Sequence, residues 1–158
     1  MQDLKGKVAY ITGGSKGIGY GVAEKLIAAG MKVAISGRTL KTVEIAAQYL
    51  GDNENVLALQ SDVVKLSDEK NAVQKILDNW GQLDVVLANA GVGHFAPVDE
   101  MSDEQWHQMI DTNLSGVFHT LKASVQALKK SKGYYITLAS LAGTNFFPAG
   151  SAYNASKF

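Results

Sequence analysis

The sequence has 158 residues, 46% of them hydrophobic and 19% charged, a balance typical of one globular domain large enough to bury a core. The 15 basic and 15 acidic residues cancel and form no basic cluster, so we expect no nucleic-acid partner. The absence of cysteine, of an apolar leader and of a membrane-length apolar run leads us to expect a cytoplasmic protein without disulfides or a membrane anchor.

Five short apolar runs alternate along the chain with segments of helical period. The predicted strands cover 8–11, 32–36, 56–59, 85–88 and 134–139, and the predicted helices cover 18–29, 40–50, 68–80, 103–130 and a last one from 151. The apolar runs are continuous, which predicts an α/β fold: a Rossmann-like, doubly wound parallel sheet with helices on both faces. We interpret residues 1–158 as one domain whose C-terminal part is missing, because the sequence stops early in its last helix.

Polar residues mark where the predicted helices begin. Thr39 and Ser67 are predicted N-caps, and Ser102 with Gln105 is a predicted capping box. The long helix after Ser102 has an apolar face that we expect to be buried, made of Trp106, Met109, Ile110, Leu114, Val117, Phe118, Leu121, Val125 and Leu128.

A glycine-rich turn, TGGSKGIG at residues 12–19, joins the first strand to the first helix. This arrangement can present backbone N–H groups and a helix N-terminus to a phosphate, and glycine allows the backbone to approach the ligand. The glycine spacing differs from G-x-G-x-x-G, and Tyr20 stands where a P-loop has lysine. An ordinary glycine-rich turn without a ligand remains an alternative.

The end of the second strand indicates which dinucleotide would bind. NAD-binding folds usually carry a carboxylate here, but residues 36–39 read SGRT, and Lys16 lies within the glycine turn. Arg38 and Lys16 suit a 2′-phosphate, so NADP(H) is favoured over NAD(H). The alternative is a pair of surface cations without a ligand.

Tyr153 and Lys157 lie four residues apart and would share one helix face just after the fifth strand. A nearby ammonium favours the tyrosinate, which would suit Tyr153 to proton exchange with a carbonyl or alcohol oxygen. Ser140 ends the fifth strand and could hydrogen-bond a substrate, and Asn113 lies within an apolar helix face, where its amide needs partners. Each has a structural alternative: a chance pair, a strand-ending serine or a satisfied core asparagine.

The remaining aromatic and imidazole side chains carry weaker signals. His94 could touch a substrate or be a loop residue, and the three separated histidines do not suggest a metal site. Phe95, Phe146 and Phe147 could form the wall of an apolar pocket or belong to the core.

Several motifs in combination resemble the short-chain dehydrogenase/reductase family over essentially the whole chain. They are Thr12-Gly-x-x-x-Gly17-Ile-Gly19, Asn89-Ala90-Gly91, Asn113, Ser140 and Tyr153-x-x-x-Lys157. Within the family, the chain looks most like NADP-linked carbonyl reductases, including 3-oxoacyl-carrier-protein reductases.

The resemblance implies a role for each matching residue. Tyr153 would be the catalytic acid/base, Lys157 would hold the nicotinamide ribose, Ser140 would orient the carbonyl, and Asn113 would support a water chain near Lys157. The cofactor would be lined by Gly13, Ser15, Lys16, Gly17 and Ile18, with Arg38 at the 2′-phosphate, Asp62 and Val63 at the adenine, and Asn89, Ala90 and Gly91 near the ribose. Tyr153 and Lys157 would bind the cofactor as well as take part in catalysis.

We therefore predict an NADPH-dependent oxidoreductase that transfers a hydride between the nicotinamide and a small carbonyl or secondary alcohol. The resemblance also implies a homodimer or homotetramer of the full-length form, and further strands and a substrate loop after the Tyr153 helix. The alternative is a dinucleotide-binding module without catalysis, or an inactive fragment of such an enzyme.

Overall fold

The apolar runs form a parallel sheet, as the sequence predicts. The structure, a computed structural model, describes residues 4–52 and 54–158. Its strands are β1 (Val8–Thr12), β2 (Lys32–Gly37), β3 (Val56–Gln60), β4 (Val85–Ala88) and β5 (Tyr134–Thr137). They lie in the order β3-β2-β1-β4-β5, with every neighbouring pair parallel. The order reverses between β1 and β4, the position at which such sheets open a ligand crevice.

The connections between the strands contain the helices. They are α1 (Gly17–Ala28), α2 (Leu40–Leu50), α3 (Leu66–Trp80), α4 (Asp103–Ile110), α5 (Gly116–Ser131) and α6 (Ser151–Lys157). A π-helical turn, Asp111–Ser115, joins α4 to α5, and a short 3-10 turn, Leu141–Gly143, follows β5. Within the described residues, no helix is long and apolar enough to cross a membrane.

Alternate residues of each central strand enter two separate cores. In β1, Ala9 and Ile11 face the core that α1 and α2 cover, whereas Val8 and Tyr10 face the core that α3 and α5 cover. Because successive strand side chains point to opposite faces, a strand buried on both sides must be apolar throughout. The predicted doubly wound α/β fold is confirmed.

The local predictions at helix ends have mixed outcomes. The capping box is confirmed: Ser102 Oγ accepts the Gln105 N–H at 3.3 Å, and Gln105 Oε1 accepts the Ser102 N–H at 3.2 Å. The Ser67 cap is wrong, because α3 begins at Leu66 and Lys65 occupies the N-cap position. Thr39 does precede α2, but its side chain makes no capping hydrogen bond. The fifth strand ends at Thr137, two residues before the predicted end at 139.

The predicted helix 103–130 is interrupted by the π-helical turn, and most of its expected buried face is not buried. Met109 and Leu128 are in the core, but Leu114 and Phe118 are more than half exposed. The buried face of α5 instead follows the four-residue spacing Gly116, Thr120, Ser124 and Leu128. Thr120 and Ser124 can be buried because their hydroxyls donate to the carbonyls of Gly116 and Thr120, at 2.9 and 2.7 Å.

Candidate active site

One cleft of about 910 Å³ runs along the carboxyl ends of the strands. This size is in the usual range for small-molecule and cofactor sites. The cleft brings together all but one of the site residues predicted from sequence: Gly13, Ser15, Lys16, Gly17, Ile18, Arg38, Asp62, Val63, Asn89, Ala90, Gly91, Ser140, Tyr153 and Lys157. The exception is Asn113, which is buried beside the cleft rather than lining it.

The glycine turn forms the floor of one end of the cleft. Gly13 has a φ of +63°, and a Cβ atom there would lie 3.0 Å from the Ala90 Cα. A Cβ atom on Gly19 would lie 2.5 Å from the Asn89 amide nitrogen. Lys16 is the N-cap of α1 but makes no side-chain capping bond, so no side chain within residues 4–52 and 54–158 caps the first N–H groups of the helix. The turn therefore has both the close backbone approach and the unsatisfied donors that a phosphate site requires.

Thr12 and Asn89 join the ends of β1 and β4 beneath the glycine turn. The Thr12 hydroxyl accepts the N–H groups of Asn89 and Ala90, each at 3.1 Å. The Asn89 amide donates to the carbonyls of Thr12 at 2.8 Å and Gly13 at 3.1 Å. These four bonds fix the glycine turn relative to the segment 89–91 at the reversal point of the sheet.

The part of the cleft that is predicted to bind the adenosine lies at the ends of β2 and β3. Arg38 and Lys16 are exposed, and within the described ranges neither cation is paired with a carboxylate. Asp62 Oδ1 accepts the Val64 N–H at 3.2 Å, which orients the carboxylate. Val63 is buried, and a Cβ atom on Gly116 would lie 2.7 Å from its Cγ2. Position 116 must therefore be small for Val63 to keep its place on the cleft wall.

A buried polar cluster that sequence reasoning missed lies beneath this adenosine side. The Tyr10 hydroxyl lies 3.0 Å from both Glu69 Oε1 and Ser36 Oγ, and Ser61 Oγ donates to Glu69 Oε1 at 2.6 Å. Burial raises the pKa of Glu69 and raises the pKa of Tyr10. Among the residues that the structure describes, Glu69 Oε2 is buried without a hydrogen-bond partner, and protonation there would lower the cost of burying the group. Since Tyr10 lies in an apolar run and Glu69 in an ordinary helical segment, neither stood out in the sequence.

The other end of the cleft holds Tyr153, Lys157 and Ser140. Tyr153 and Lys157 lie one turn apart on α6, with Lys157 Nζ 5.8 Å from the centre of the Tyr153 ring. Lys157 Nζ donates to the Leu138 carbonyl at 3.1 Å, which anchors the ammonium at the end of β5. Ser140 Oγ accepts the Ala142 N–H at 3.2 Å, so its hydroxyl hydrogen can still be donated to an oxygen in the cleft.

Asn113 joins three elements behind this end of the cleft. It lies in the π-helical turn, and its Oδ1 accepts the Val92 N–H at 2.9 Å. Its amide donates to the Val92 carbonyl at 2.9 Å and to Ser156 Oγ at 3.1 Å. The side chain thus fixes the loop after β4 against α6. Ser156 was not predicted from the sequence. Its position three residues after Tyr153 is the feature that could have indicated it.

His94 does not face the cleft. Its Nε2 lies 2.7 Å from Gln108 Oε1, and it is absent from the lining. The expectation that His94 contacts a substrate receives no support from this geometry.

Comparison with known proteins decides the family. Residues 7–158 match the family described as short chain dehydrogenase. The chain belongs to the short-chain dehydrogenase family. Members of this family are oxidoreductases that use a nicotinamide dinucleotide, and the predicted relationship is confirmed.

Individual family members differ in cofactor and in length. The 3-oxoacyl-(acyl-carrier-protein) reductase of Escherichia coli is 36% identical over 143 residues, which cover 90% of this chain and 58% of the relative. An alcohol dehydrogenase of the archaeon Thermococcus sibiricus, complexed with 5-hydroxy-NADP, superposes with a TM-score of 0.92 at 36% identity, covering 97% of this chain and 66% of that one. A short-chain dehydrogenase/reductase of Burkholderia phymatum, in complex with NAD, gives 0.94 at 28% identity, covering 99% and 57%. The chain spans 58% to 68% of the length of the curated relatives.

Proposed function

We propose that this chain carries the nucleotide site and catalytic side chains of an NADPH-dependent oxidoreductase acting on a carbonyl or secondary alcohol. The observation that carries the proposal is that Tyr153, Lys157 and Ser140 line the same cleft as the glycine turn. A proton donor, a hydroxyl for the carbonyl and a dinucleotide cradle are the parts that direct hydride transfer requires of a protein.

The residues at the nucleotide end fit a dinucleotide. The first backbone N–H groups of α1 would bind the pyrophosphate in the space that Gly13 and Gly19 leave by having no side chains. Asp62 and Val63 would hold the adenine, and segment 89–91 would contact its ribose.

Charge favours NADP(H) over NAD(H). Arg38 and Lys16 both line the cleft as cations without a carboxylate partner among the described residues. A 2′-phosphate would supply the missing anion. Solved relatives hold either an NADP derivative or NAD, so the preference proposed for this chain rests on its own cations.

The nicotinamide supplies the hydride. Tyr153 would donate a proton to the carbonyl oxygen as the alcohol forms, and accept it in the reverse reaction. The Ser140 hydroxyl would hydrogen-bond the same oxygen and orient it, while Lys157, anchored on Leu138, would hold the ribose next to Tyr153. Asn113, through Val92 and Ser156, would keep α6 in position, and its predicted part in a water chain stays a prediction.

Assembly is part of the proposal. Trp106, Leu114, Phe118 and Leu121 form exposed apolar surface on α4, the π-helical turn and α5. Such a surface suits an interface between subunits. We propose a cytoplasmic homodimer or homotetramer in the full-length form.

The test uses NADPH carrying deuterium at the transferring carbon of the nicotinamide, with this chain and with a longer natural form that contains it. We expect deuterium on the carbinol carbon of the product alcohol. Deuterium lost to water would contradict direct transfer. Nucleotide binding without turnover in every form would favour the alternative of a non-catalytic dinucleotide-binding module.

A further inference from the structure

Three aromatic rings, those of Phe95, Phe147 and Tyr153, meet at the end of the cleft that holds Tyr153. The ring centres of Phe95 and Tyr153 are 5.5 Å apart, those of Phe95 and Phe147 are 5.7 Å apart, and those of Phe147 and Tyr153 are 6.4 Å apart. These separations are typical of favourable aromatic pairs. We call this group the aromatic wall. Phe95 comes from the loop after β4 and Phe147 from the loop before α6.

The backbone fixes the aromatic wall in place. The Ala96 N–H donates to the Ala149 carbonyl at 3.0 Å, which joins the two loops. Asn154 Nδ2 donates to the Phe147 carbonyl at 3.2 Å. A Cβ atom on Gly150 would lie 2.7 Å from the Phe147 ring, so this ring packs directly over a glycine.

The aromatic wall is not part of the core. Phe95 is 57% exposed and Phe147 is 37% exposed, and neither belongs to the two clusters that cover the sheet. Phe95 lines the cleft with Tyr153, and Phe147 extends the wall behind it. Phe146, the third aromatic side chain of the sequence prediction, is 84% exposed and makes no ring contact within the described residues.

Almost all the side chains around the aromatic wall are uncharged. At this end, the lining is completed by Val92, Gly93, Leu138, Ala139 and Ser140. In the part of the chain that the structure describes, Lys157 is the one charged side chain lining this end, and it already donates to the Leu138 carbonyl. A substrate carboxylate or phosphate would be desolvated here without a cation reserved for it.

We infer that the substrate is a ketone, or the matching secondary alcohol, that bears an uncharged apolar ring or branched chain packed on Phe95, the ring that Phe147 supports from behind. The inference rests on the proposed function, since it takes Tyr153 and Ser140 to hold the carbonyl oxygen. The apolar group would displace water from the Phe95 ring, which lines the cleft, and the oxygen would then reach the two hydroxyls.

The experiment compares three carbonyl substrates: benzylacetone, acetone and pyruvate. With the form of the protein that turns over NADPH, we expect kcat/KM for benzylacetone to exceed that for acetone, and pyruvate to be the poorest. In Phe95→Ala, the ratio of benzylacetone to acetone should fall about tenfold, mainly through KM for benzylacetone. Phe146→Ala removes an equal ring next to the wall and should leave the ratio within about twofold.

Two kinetic outcomes would overturn the inference while the proposed function stands. One is a preference for pyruvate. The other is an equal loss of kcat/KM for both ketones in Phe95→Ala, which would mean that Phe95 has a structural role. Saturation-transfer NMR of benzylacetone with the NADP⁺-loaded protein provides a readout without turnover. We expect a ring signal that Phe95→Ala removes and Phe146→Ala keeps, and a missing signal in the wild type overturns the inference. Failure to bind any nicotinamide nucleotide would instead refute the proposed function.

Discussion

The two ends of the cleft are built in different ways. The nucleotide end lies on β1, all five residues of which are buried, and on the neighbouring strands β2 and β4. The proposed catalytic end, which holds Ser140, Tyr153 and Lys157, lies on β5, where Tyr134 and Ile136 are about half exposed, and on the seven-residue helix α6. Central, fully buried strands and the Thr12 and Asn89 side chains position the nucleotide end, whereas the hydrogen bonds of Asn113 position the short helix at the catalytic end.

Because of this difference, we expect the two ends of the cleft to tolerate different substitutions. A phosphate cradle depends on where the backbone runs, so a single added methyl group can obstruct it. A proton donor depends on one hydroxyl, so its removal should stop the reaction without moving the backbone. Substitutions at the two ends should therefore fail in different assays: nucleotide binding at one end and turnover at the other.

The largest effect on nucleotide binding is expected for Gly19→Ala. The new Cβ would lie 2.5 Å from the Asn89 amide nitrogen and 2.9 Å from the Gly13 carbonyl, so the turn must shift. We expect a loss of about 1–3 kcal/mol in unfolding free energy and at least tenfold weaker NADPH binding, measured by denaturation and by titration.

Gly21→Ala is the matched control for Gly19→Ala. Gly21 lies in the same helix, and a Cβ atom added there would have nothing within 4 Å, so the change should stabilise the protein by about 0.5–1 kcal/mol without affecting NADPH binding. Equal behaviour of the two variants would contradict the close approach of Gly19 to Asn89.

A smaller effect is expected for Arg38→Asp. The substitution replaces a cation at the cleft with a carboxylate that can accept from a ribose hydroxyl, so the NADPH/NADH ratio of kcat/KM should fall about tenfold or more. Lys41→Asp makes the same charge change on α2 outside the cleft lining and should leave the ratio nearly unchanged. An unchanged ratio in Arg38→Asp would remove this residue from the phosphate site.

The smallest effect is expected for Glu69→Gln, which tests the support beneath the adenosine side. Burial raises the pKa of Glu69 above its usual 4.5, so the folded state holds this proton more tightly than the unfolded state. The stabilisation is therefore complete below that usual pKa and is lost as pH rises through the raised one. Relative to Glu69→Gln, the wild type should lose unfolding free energy as the pH rises above 4.5, measured by urea denaturation. A constant difference between the two proteins would mean that Glu69 does not titrate in this range.

Features that depend on local composition could be predicted from the sequence. The strands followed from continuous apolar runs, and the glycine turn and the Tyr153–Lys157 pair followed from spacing. The structure brings both motifs to one cleft. The order of the strands in the sheet could be obtained only from the family resemblance or from the structure, because the sequence does not show which strands are neighbours.

Features that depend on packing could not be predicted. The π-helical turn at Asp111–Ser115 leaves no compositional signal. Periodicity predicted that the apolar side of α5 is buried. The side that is buried instead carries Gly116, Thr120 and Ser124: Gly116 leaves room for Val63, and the two hydroxyls are satisfied within the helix. The Tyr10–Glu69 contact joins residues 59 positions apart and arises only when β1 and α3 pack together.

The most direct test of the central claim is Tyr153→Phe, measured for both NADPH binding and ketone-dependent NADPH oxidation in the longest active form. Removing the Tyr153 hydroxyl takes away the proposed proton donor and leaves the glycine turn unchanged, so NADPH affinity should stay within about twofold while turnover falls at least 100-fold. Near-wild-type turnover would contradict the assignment of Tyr153 as the proton donor, and loss of NADPH binding together with turnover would contradict the separation of the two ends.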